Sequence, residues 1–212
     1  KRKTLYRGKV RGLIRSVVLV IDLTEAGLAP LDFGIPRIRL IIEELSKFIS
    51  NFLDQNPLSQ LSIVTTFNYN AQIQTPFSSD VKELLTVLQH LSDIKTTGEP
   101  SIYNSVNVSL NLLKTVPVYS TKEILIIYSS LNTCDPKPFD NLISMVSKGV
   151  PNLINNKFLT KSVISAIGLG AEVMFLRRLT EVTNGTYNIP MNREHFTDLL
   201  QSQVLPPPWN EI

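Results

Sequence analysis

The stretch VLVIDLTEAG, residues 18–27, is a run of apolar residues that ends on an aspartate. A continuous apolar run of this kind is typical of a strand buried on both faces of a parallel sheet. Asp22 would then lie at the carboxyl end of the strand, which is the edge where sites form in open α/β sheets. The sequence leaves three roles open for this carboxylate: a metal ligand, a catalytic acid, or part of a site that no longer works.

Further segments of the same character alternate with segments of helical periodicity. Long strands are predicted at 16–22, 61–67, 124–129 and 162–168, a short antiparallel edge strand at 69–75, and a last strand at 186–189. Helices are predicted at 36–54, 80–90, 101–114, 138–147, 171–183 and 193–201. This alternation predicts an α/β fold with a doubly wound, mostly parallel six-stranded sheet and helices on both faces.

Length and composition indicate one ordinary domain. The chain has 212 residues and is 43% hydrophobic, which is enough for one well-packed core. Its apolar runs are far shorter than the roughly 18 residues of a membrane span, so no membrane contact is expected. A single cysteine and two histidines exclude an intrachain disulfide framework and a Cys/His zinc site, and we expect a reducing compartment.

Positive charge is concentrated at the start of the chain. Residues 1–15 hold seven of the 21 Lys and Arg residues and no acid. We expect a basic arm at 1–10, the domain at 11–205, and an exit into a linker at 206–212, which includes three consecutive prolines. Direct contact of the basic segment 1–15 with nucleic acid is left open, although a solvated leader is favoured because interleaved aromatic residues are absent.

Motifs for catalysis are weak. The run GLGAEV at 168–173 contains half of a dinucleotide-binding fingerprint, but Val173 stands where glycine or alanine is required. We interpret this run as a tight turn from a strand to a helix; an enzyme that binds a nucleotide through Gly168 and Gly170 is a weak alternative. Cys134 has no close basic neighbour in sequence, so a depressed thiol pKa is not expected. The protein is predicted not to be an enzyme.

The residues around Asp22 resemble the metal site of the von Willebrand factor A domain, in which the first strand ends in D-x-S-x-S. A second loop supplies a threonine to that site, and an aspartate follows a later strand. The matching positions here are Asp22, Thr24, Ala26, Ser101 and Ser130. Ala26 offers no oxygen, and Ser130 replaces a carboxylate with a neutral hydroxyl.

Too little negative charge therefore remains to bind Mg²⁺ well. We expect no metal and no cofactor, with Asp22 accepting hydrogen bonds that hold the surrounding loops. A metal-dependent ligand-binding A-type domain that uses Asp22, Thr24, Glu25 and Ser101 is the alternative hypothesis.

Six ordered segments resemble the TFIIH core subunit family, whose A-type domain binds and stimulates the XPD repair helicase. The segments are 11–15, 52–60, 98–105, 131–136, 167–173 and 206–208. The resemblance implies a non-catalytic regulatory scaffold in the nucleus, acting in transcription initiation and nucleotide excision repair, with XPD and other TFIIH core subunits as partners. It also implies that C-terminal zinc-binding modules are missing here and that this is the N-terminal part of a longer protein. Residues 149–161 depart from the family and are interpreted as a lineage-specific loop.

The segment that follows the third long strand is the predicted partner-binding site, formed by Ser130, Leu131, Asn132, Thr133 and Asp135. From the residues alone, Leu131 is equally compatible with a place in the core and with an exposed anchor for a partner. The family resemblance favours the anchor, because this loop is associated with helicase contact there.

Overall fold

The computed structural model describes residues 14–28, 34–94, 97–136, 139–151 and 159–205. The predicted arm at 1–10 and the exit at 206–212 lie outside these residues, as does the centre of the predicted loop at 149–161. Within the part of the chain that is described, no helix is long and apolar enough to cross a membrane.

Strands and helices alternate as the sequence predicts. The strands are β1 (Arg15–Asp22), β2 (Gln60–Phe67), β3 (Asn70–Ser78), β4 (Thr121–Tyr128), β5 (Val150–Pro151), β6 (Leu159–Thr160), β7 (Ser162–Gly168) and β8 (Tyr187–Asn188). The helices are α1 (Arg37–Gln55), α2 (Val81–His90), α3 (Ile102–Leu113), α4 (Asp140–Lys148), α5 (Met174–Val182) and α6 (Arg193–Ser202). Short 3-10 helices follow β1 at Glu25–Leu28 and α2 at Leu91–Asp93.

Six of the strands form one sheet in the order β3-β2-β1-β4-β7-β8, in which β3 is antiparallel and the other pairs are parallel. This confirms the predicted fold class. The edge strand β3 is longer than predicted and continues through Pro76, because an edge strand tolerates a residue that donates no backbone hydrogen bond. The strands β5 and β6 form a separate antiparallel pair within the loop predicted at 149–161.

The central strand β1 is buried on both faces, which explains its continuous apolar sequence. Val17, Leu19 and Ile21 pack in one core with residues of α1, α2 and α6. Val18 and Val20 pack in the other core with residues of α3, α4 and α5. Strand order reverses between β1 and β4, so the carboxyl ends of these two strands flank the point where sites form in such sheets.

Arg15 corrects the prediction for the basic segment 1–15, because its side chain is only 2% exposed and is not available to nucleic acid. Its Nε and Nη2 donate to the two carboxylate oxygens of Glu123 at 2.9 and 2.7 Å. Nη1 donates to the Val204 carbonyl at 2.5 Å and Nη2 to the Gln203 carbonyl at 2.9 Å, and the guanidinium carbon lies 4.7 Å from the centre of the Phe52 ring. Arg15 therefore joins β1, β4 and the end of α6.

Candidate functional site

Asp22, at the end of β1, is the centre of the site. It is 1% exposed, and its Oδ1 accepts hydrogen bonds from the backbone N–H and the hydroxyl of Thr24, at 3.0 and 2.7 Å. Its Oδ2 accepts from the N–H groups of Ser129 and Ser130, at 3.0 and 2.8 Å. An ionised carboxylate offers about four lone-pair directions, and all are used here. Asp22 thus fastens the loop after β1 to the loop after β4, as the sequence predicts.

Ser130 belongs to the same network. Its Oγ lies 2.7 Å from the Oγ1 of Thr24. A hydroxyl carries one proton, and that of Thr24 is donated to Asp22, so Ser130 must be the donor in the contact with Thr24. At the position where an A domain has a second carboxylate, this chain has a buried hydroxyl that donates a hydrogen bond.

The donor set does not fit Mg²⁺, which requires oxygen ligands in near-octahedral array with substantial negative charge. Ala26 has no side-chain oxygen, Glu25 is exposed in the 3-10 helix, and the hydroxyl of Ser101 is donated to Asp135 at 2.6 Å. The lone pairs of Asp22 are occupied by protein donors. Among the described residues, no three His, Cys, Asp or Glu side chains are grouped so that they could hold a metal ion.

The far end of the loop after β4 is fastened to the start of α3. Oδ1 of Asp135 accepts from the Ser101 hydroxyl at 2.6 Å. Oδ2 accepts from the N–H of Tyr103 at 2.9 Å and from the Thr133 hydroxyl at 2.5 Å. A carboxylate in this place satisfies N–H groups that have no partner within the helix and interacts favourably with the helix dipole. Asp135 and Thr133 thus hold the loop in place.

Two more contacts support the middle of this loop. The Tyr128 hydroxyl donates to the Asn132 carbonyl at 2.5 Å, and the N–H of Cys134 donates to the Pro100 carbonyl at 3.0 Å. Burial raises the pKa of Tyr128 above its ordinary value, and the charges of Asp22 and Asp135 raise it further, so this hydroxyl remains a donor. Burial, together with the charge of Asp135, also raises the pKa of the Cys134 thiol, which agrees with the expected lack of thiolate character.

Leu131 lies between the two fastened ends, and its side chain is 59% exposed. Of the five predicted contact residues, Leu131 and Asn132 are exposed, Thr133 and Asp135 are half-buried, and Ser130 is buried. Gly170 leaves room for Leu131, because a Cβ at residue 170 would lie 3.2 Å from a Leu131 methyl carbon. The structure therefore decides the question that the sequence left open, since Leu131 is a surface residue.

The glycine run at 168–173 makes the predicted turn from strand to helix. The N–H of Leu169 donates to the Tyr128 carbonyl at 2.7 Å, and the Tyr187 hydroxyl accepts from the N–H of Val173 at 2.9 Å. A Cβ at Gly168 would lie 2.9 Å from that tyrosine oxygen. The first glycine thus makes room for the Tyr187 side chain.

Sequence reasoning missed two residues that border the site. Arg37, in the first turn of α1, donates from Nη1 to the Ser129 carbonyl at 2.9 Å and so connects a helix to the loop after β4. Tyr69, in the turn after β2, is exposed next to the start of α3. No motif marks Arg37, and Tyr69 was predicted as the first residue of the edge strand 69–75, whereas the structure places it in the turn before β3.

Comparison with known proteins identifies the family. The Ssl1-like family model matches residues 20–212. The chain belongs to the Ssl1-like family. Among curated Ssl1-like relatives, general transcription factor IIH subunit 2 of Dictyostelium discoideum is 37% identical over 93% of this chain and 40% of its own length. General transcription and DNA repair factor IIH subunit ssl1 of Schizosaccharomyces pombe is 30% identical over 98% of this chain and 48% of its own length.

These relatives confirm the family resemblance seen in the sequence, and the chain spans less than half of their length. Among solved structures, the VWA domain of SpRpn10 superposes with a TM-score of 0.70, covering 92% of this chain and 99% of that domain. At 16% identity this likeness concerns the fold alone, and it places this Ssl1-like chain in the von Willebrand factor A fold.

Proposed function

We propose that this chain is the von Willebrand factor A-like domain of a TFIIH subunit that acts without catalysis in transcription and nucleotide excision repair in the nucleus. Membership of the Ssl1-like family supports the assignment, as do the names of relatives that the chain resembles over almost its whole length. The candidate site agrees with a non-catalytic role. Its carboxylate and hydroxyls are engaged with one another and with backbone groups, so they are not directed at a substrate.

The proposed partner is the XPD helicase, contacted by the loop 130–135. The observation that carries this proposal is the exposed side chain of Leu131 on a loop that is fastened at both ends. A loop backbone already held in one place loses little conformational freedom on binding, so more of the contact energy of its side chains appears as affinity. Burial of one leucine contributes about 1.5–3 kcal/mol. Leu131 would be the anchor, with Asn132 beside it at the edge of the contact.

Stimulation of a helicase by such a domain requires no chemistry from the domain itself. A binding protein shifts an enzyme between conformations only to the extent that it binds one conformation more tightly than another. We propose that the loop binds the active conformation of the helicase preferentially. The ATPase rate of purified XPD should therefore rise when this chain is added and reach a plateau at saturation.

The substitution Leu131→Trp tests the proposed contact. Its larger side chain should not fit a pocket shaped for leucine, and we expect the affinity for XPD in a calorimetric titration to fall about tenfold or more. The melting temperature should hardly change because the site is exposed. Leu58→Trp is the matched control. Leu58 is 64% exposed and lies two residues before β2, at the amino ends of the parallel strands and so far from the loop 130–135. An unchanged affinity for Leu131→Trp would remove this loop from the interface.

A further inference from the structure

The turn between β2 and β3 has an unusual residue at its second position. Two residues, Asn68 and Tyr69, connect the strands, and their φ angles are 47° and 63°. Two-residue hairpin turns with positive φ at both positions strongly prefer Asn-Gly, because side chains are strained in this region. Asparagine suits the first position. A bulky tyrosine at the second is a genuine outlier.

Burial does not compensate for this strain, because the Tyr69 side chain is 58% exposed. Neighbouring groups hold the turn instead. The Asn68 N–H donates to the Thr97 carbonyl at 2.9 Å, and the Tyr69 N–H donates to the Glu99 carbonyl at 2.8 Å. The ring lies over Gly98, since a Cβ there would be 3.3 Å from the tyrosine Cε2. The surrounding structure thus holds the backbone that carries an exposed aromatic ring in a strained conformation, which is a pattern typical of functional sites.

The turn of Tyr69 and the loop of Leu131 are held by neighbouring backbone groups. The carbonyl of Glu99 accepts from Tyr69, and the next carbonyl, that of Pro100, accepts from Cys134 in the loop of Leu131. Tyr103, also exposed, is bonded through its N–H to Asp135 in the same loop. The start of α3 is therefore bordered by the exposed Tyr69 and Tyr103, and it is bonded to the loop that carries the exposed Leu131. We call these three side chains the α3 patch.

An exposed carboxylate, that of Glu99, lies next to Tyr69 in the α3 patch. Glu99 precedes α3 and Glu25 follows β1, and both side chains are exposed at the carboxyl edge of the sheet. Among the described residues, neither carboxylate forms an ion pair. Exposed carboxylates near apolar side chains complement a partner surface whose apolar pockets are flanked by Lys or Arg.

We propose that Tyr69 is a second anchor in the surface that contains Leu131, and that the α3 patch binds a partner surface with apolar pockets flanked by basic side chains. The inference rests on the proposed function for the identity of the partner, which is the helicase. The strained turn is retained because it directs the ring toward that partner.

The substitution Tyr69→Gly separates this role from a structural one. Glycine relieves the strain at positive φ but makes the unfolded chain more flexible, so we expect a net rise in melting temperature of about 1–3 °C. The affinity for purified XPD should fall about tenfold. Tyr69→Phe should leave both values unchanged. Tyr119→Gly is the matched control. Tyr119 is 68% exposed and lies two residues before β4, at the amino ends of the parallel strands, so its replacement should not weaken binding.

The charge of the partner is tested with Glu99→Gln. We expect a few-fold loss of affinity at low salt that disappears at high salt, because a pairing between exposed charges is screened. An equal loss at both salt concentrations, or no loss at either, would overturn the basic character assigned to the partner.

The variants Tyr69→Gly and Leu131→Trp together distinguish the second anchor from the proposed function. Normal affinity of Tyr69→Gly together with weakened binding of Leu131→Trp would overturn the second anchor and leave the proposed function intact. Weakened binding of Tyr69→Gly alone would support Tyr69 as an anchor and would remove Leu131 from the interface. A fall in melting temperature for Tyr69→Gly would show that the ring stabilises the fold, and the inference would then be wrong.

Discussion

The strand β1 begins and ends with a buried charge, and the two ends compensate it differently. At the amino end, the guanidinium of Arg15 meets an opposite charge in the paired contact with Glu123. At the carboxyl end, the carboxylate of Asp22 meets neutral donors from Thr24, Ser129 and Ser130. A buried charge is thus tolerated either beside a counter-ion or within a complete set of dipoles.

The two ends also fasten different parts of the molecule. The contacts of Arg15 join β1 to β4 and to the carbonyl groups at the end of α6, so they hold the framework of the domain. The contacts of Asp22 join two loops, and one of these carries Leu131. Loss of the first should be felt mainly in stability, and loss of the second in both stability and binding.

The largest effect is expected for Arg15→Ala. The substitution leaves Glu123 buried without its counter-ion and removes the contacts with the Gln203 and Val204 carbonyls. We expect the free energy of unfolding in urea to fall by about 3–5 kcal/mol.

A matched control for this prediction is Arg39→Ala. Arg39 is an exposed member of a helical ion pair with Glu43, and its loss should change stability by less than about 0.5 kcal/mol. Replacement of both buried partners, as in Arg15→Met with Glu123→Leu, should recover much of the loss because no unpaired charge remains. Equal losses of unfolding free energy for Arg15→Ala and Arg39→Ala would mean that the buried ion pair contributes no more to stability than the exposed one.

An intermediate effect is expected for Asp22→Asn. The amide keeps the shape of the carboxylate but directs an NH₂ group at N–H or O–H donors on one side, so at least two hydrogen bonds are lost. We expect the free energy of unfolding to fall by about 2–3 kcal/mol. The affinity for XPD should fall as well, since the loop of Leu131 loses one of its fastened ends.

The matched control for Asp22→Asn is the substitution Asp80→Asn. Asp80 caps the exposed start of α2, where asparagine is an equally good capping residue, and the change in stability should be close to zero. If Asp22→Asn weakened binding without any loss of stability, the Asp22 network would not be what holds the loops.

The smallest effect is expected from magnesium. All four acceptor directions of Asp22 are already used, so millimolar Mg²⁺ should raise the melting temperature by less than about 1 °C. The double variant Ala26→Ser with Ser130→Asp restores the missing oxygen at 26 and the missing carboxylate at 130, and should gain a Mg²⁺-dependent rise in melting temperature. A clear rise for the unmodified chain would instead favour the alternative of a metal-dependent A-type domain.

Much of the fold was predictable because the apolar pattern is strong. The run in β1 is continuous since both faces are covered, and the strands and helices of the sheet were predicted to within a few residues. The incomplete metal-site pattern was also visible, because a missing oxygen at Ala26 or a missing charge at Ser130 is a property of the residue itself. The hydrogen bonds that Asp22 accepts were predicted for the same reason, because a buried carboxylate that binds no metal ion needs protein donors.

Other features depend on residues that are far apart in the chain. Arg15 appeared to belong to a solvated basic segment, but Glu123 and the end of α6 bury it. Thr133 and Asp135 were predicted as partner-binding residues, and only the structure shows that both also bind the start of α3. The strain at Tyr69 depends on the segment 97–99, which is distant in sequence.

The sequence by itself determined the layered α/β architecture, the family, and the shortage of oxygen ligands around Asp22, because periodicity and side-chain chemistry are local properties. Only the tertiary structure decided that Arg15 is buried, that Leu131 is exposed, and that the turn of Tyr69 and the loop of Leu131 are bonded to adjacent carbonyls at the start of α3. The physical reason is that burial and hydrogen bonding are settled between segments that meet only when the sheet assembles, and no pattern within one segment contains that information.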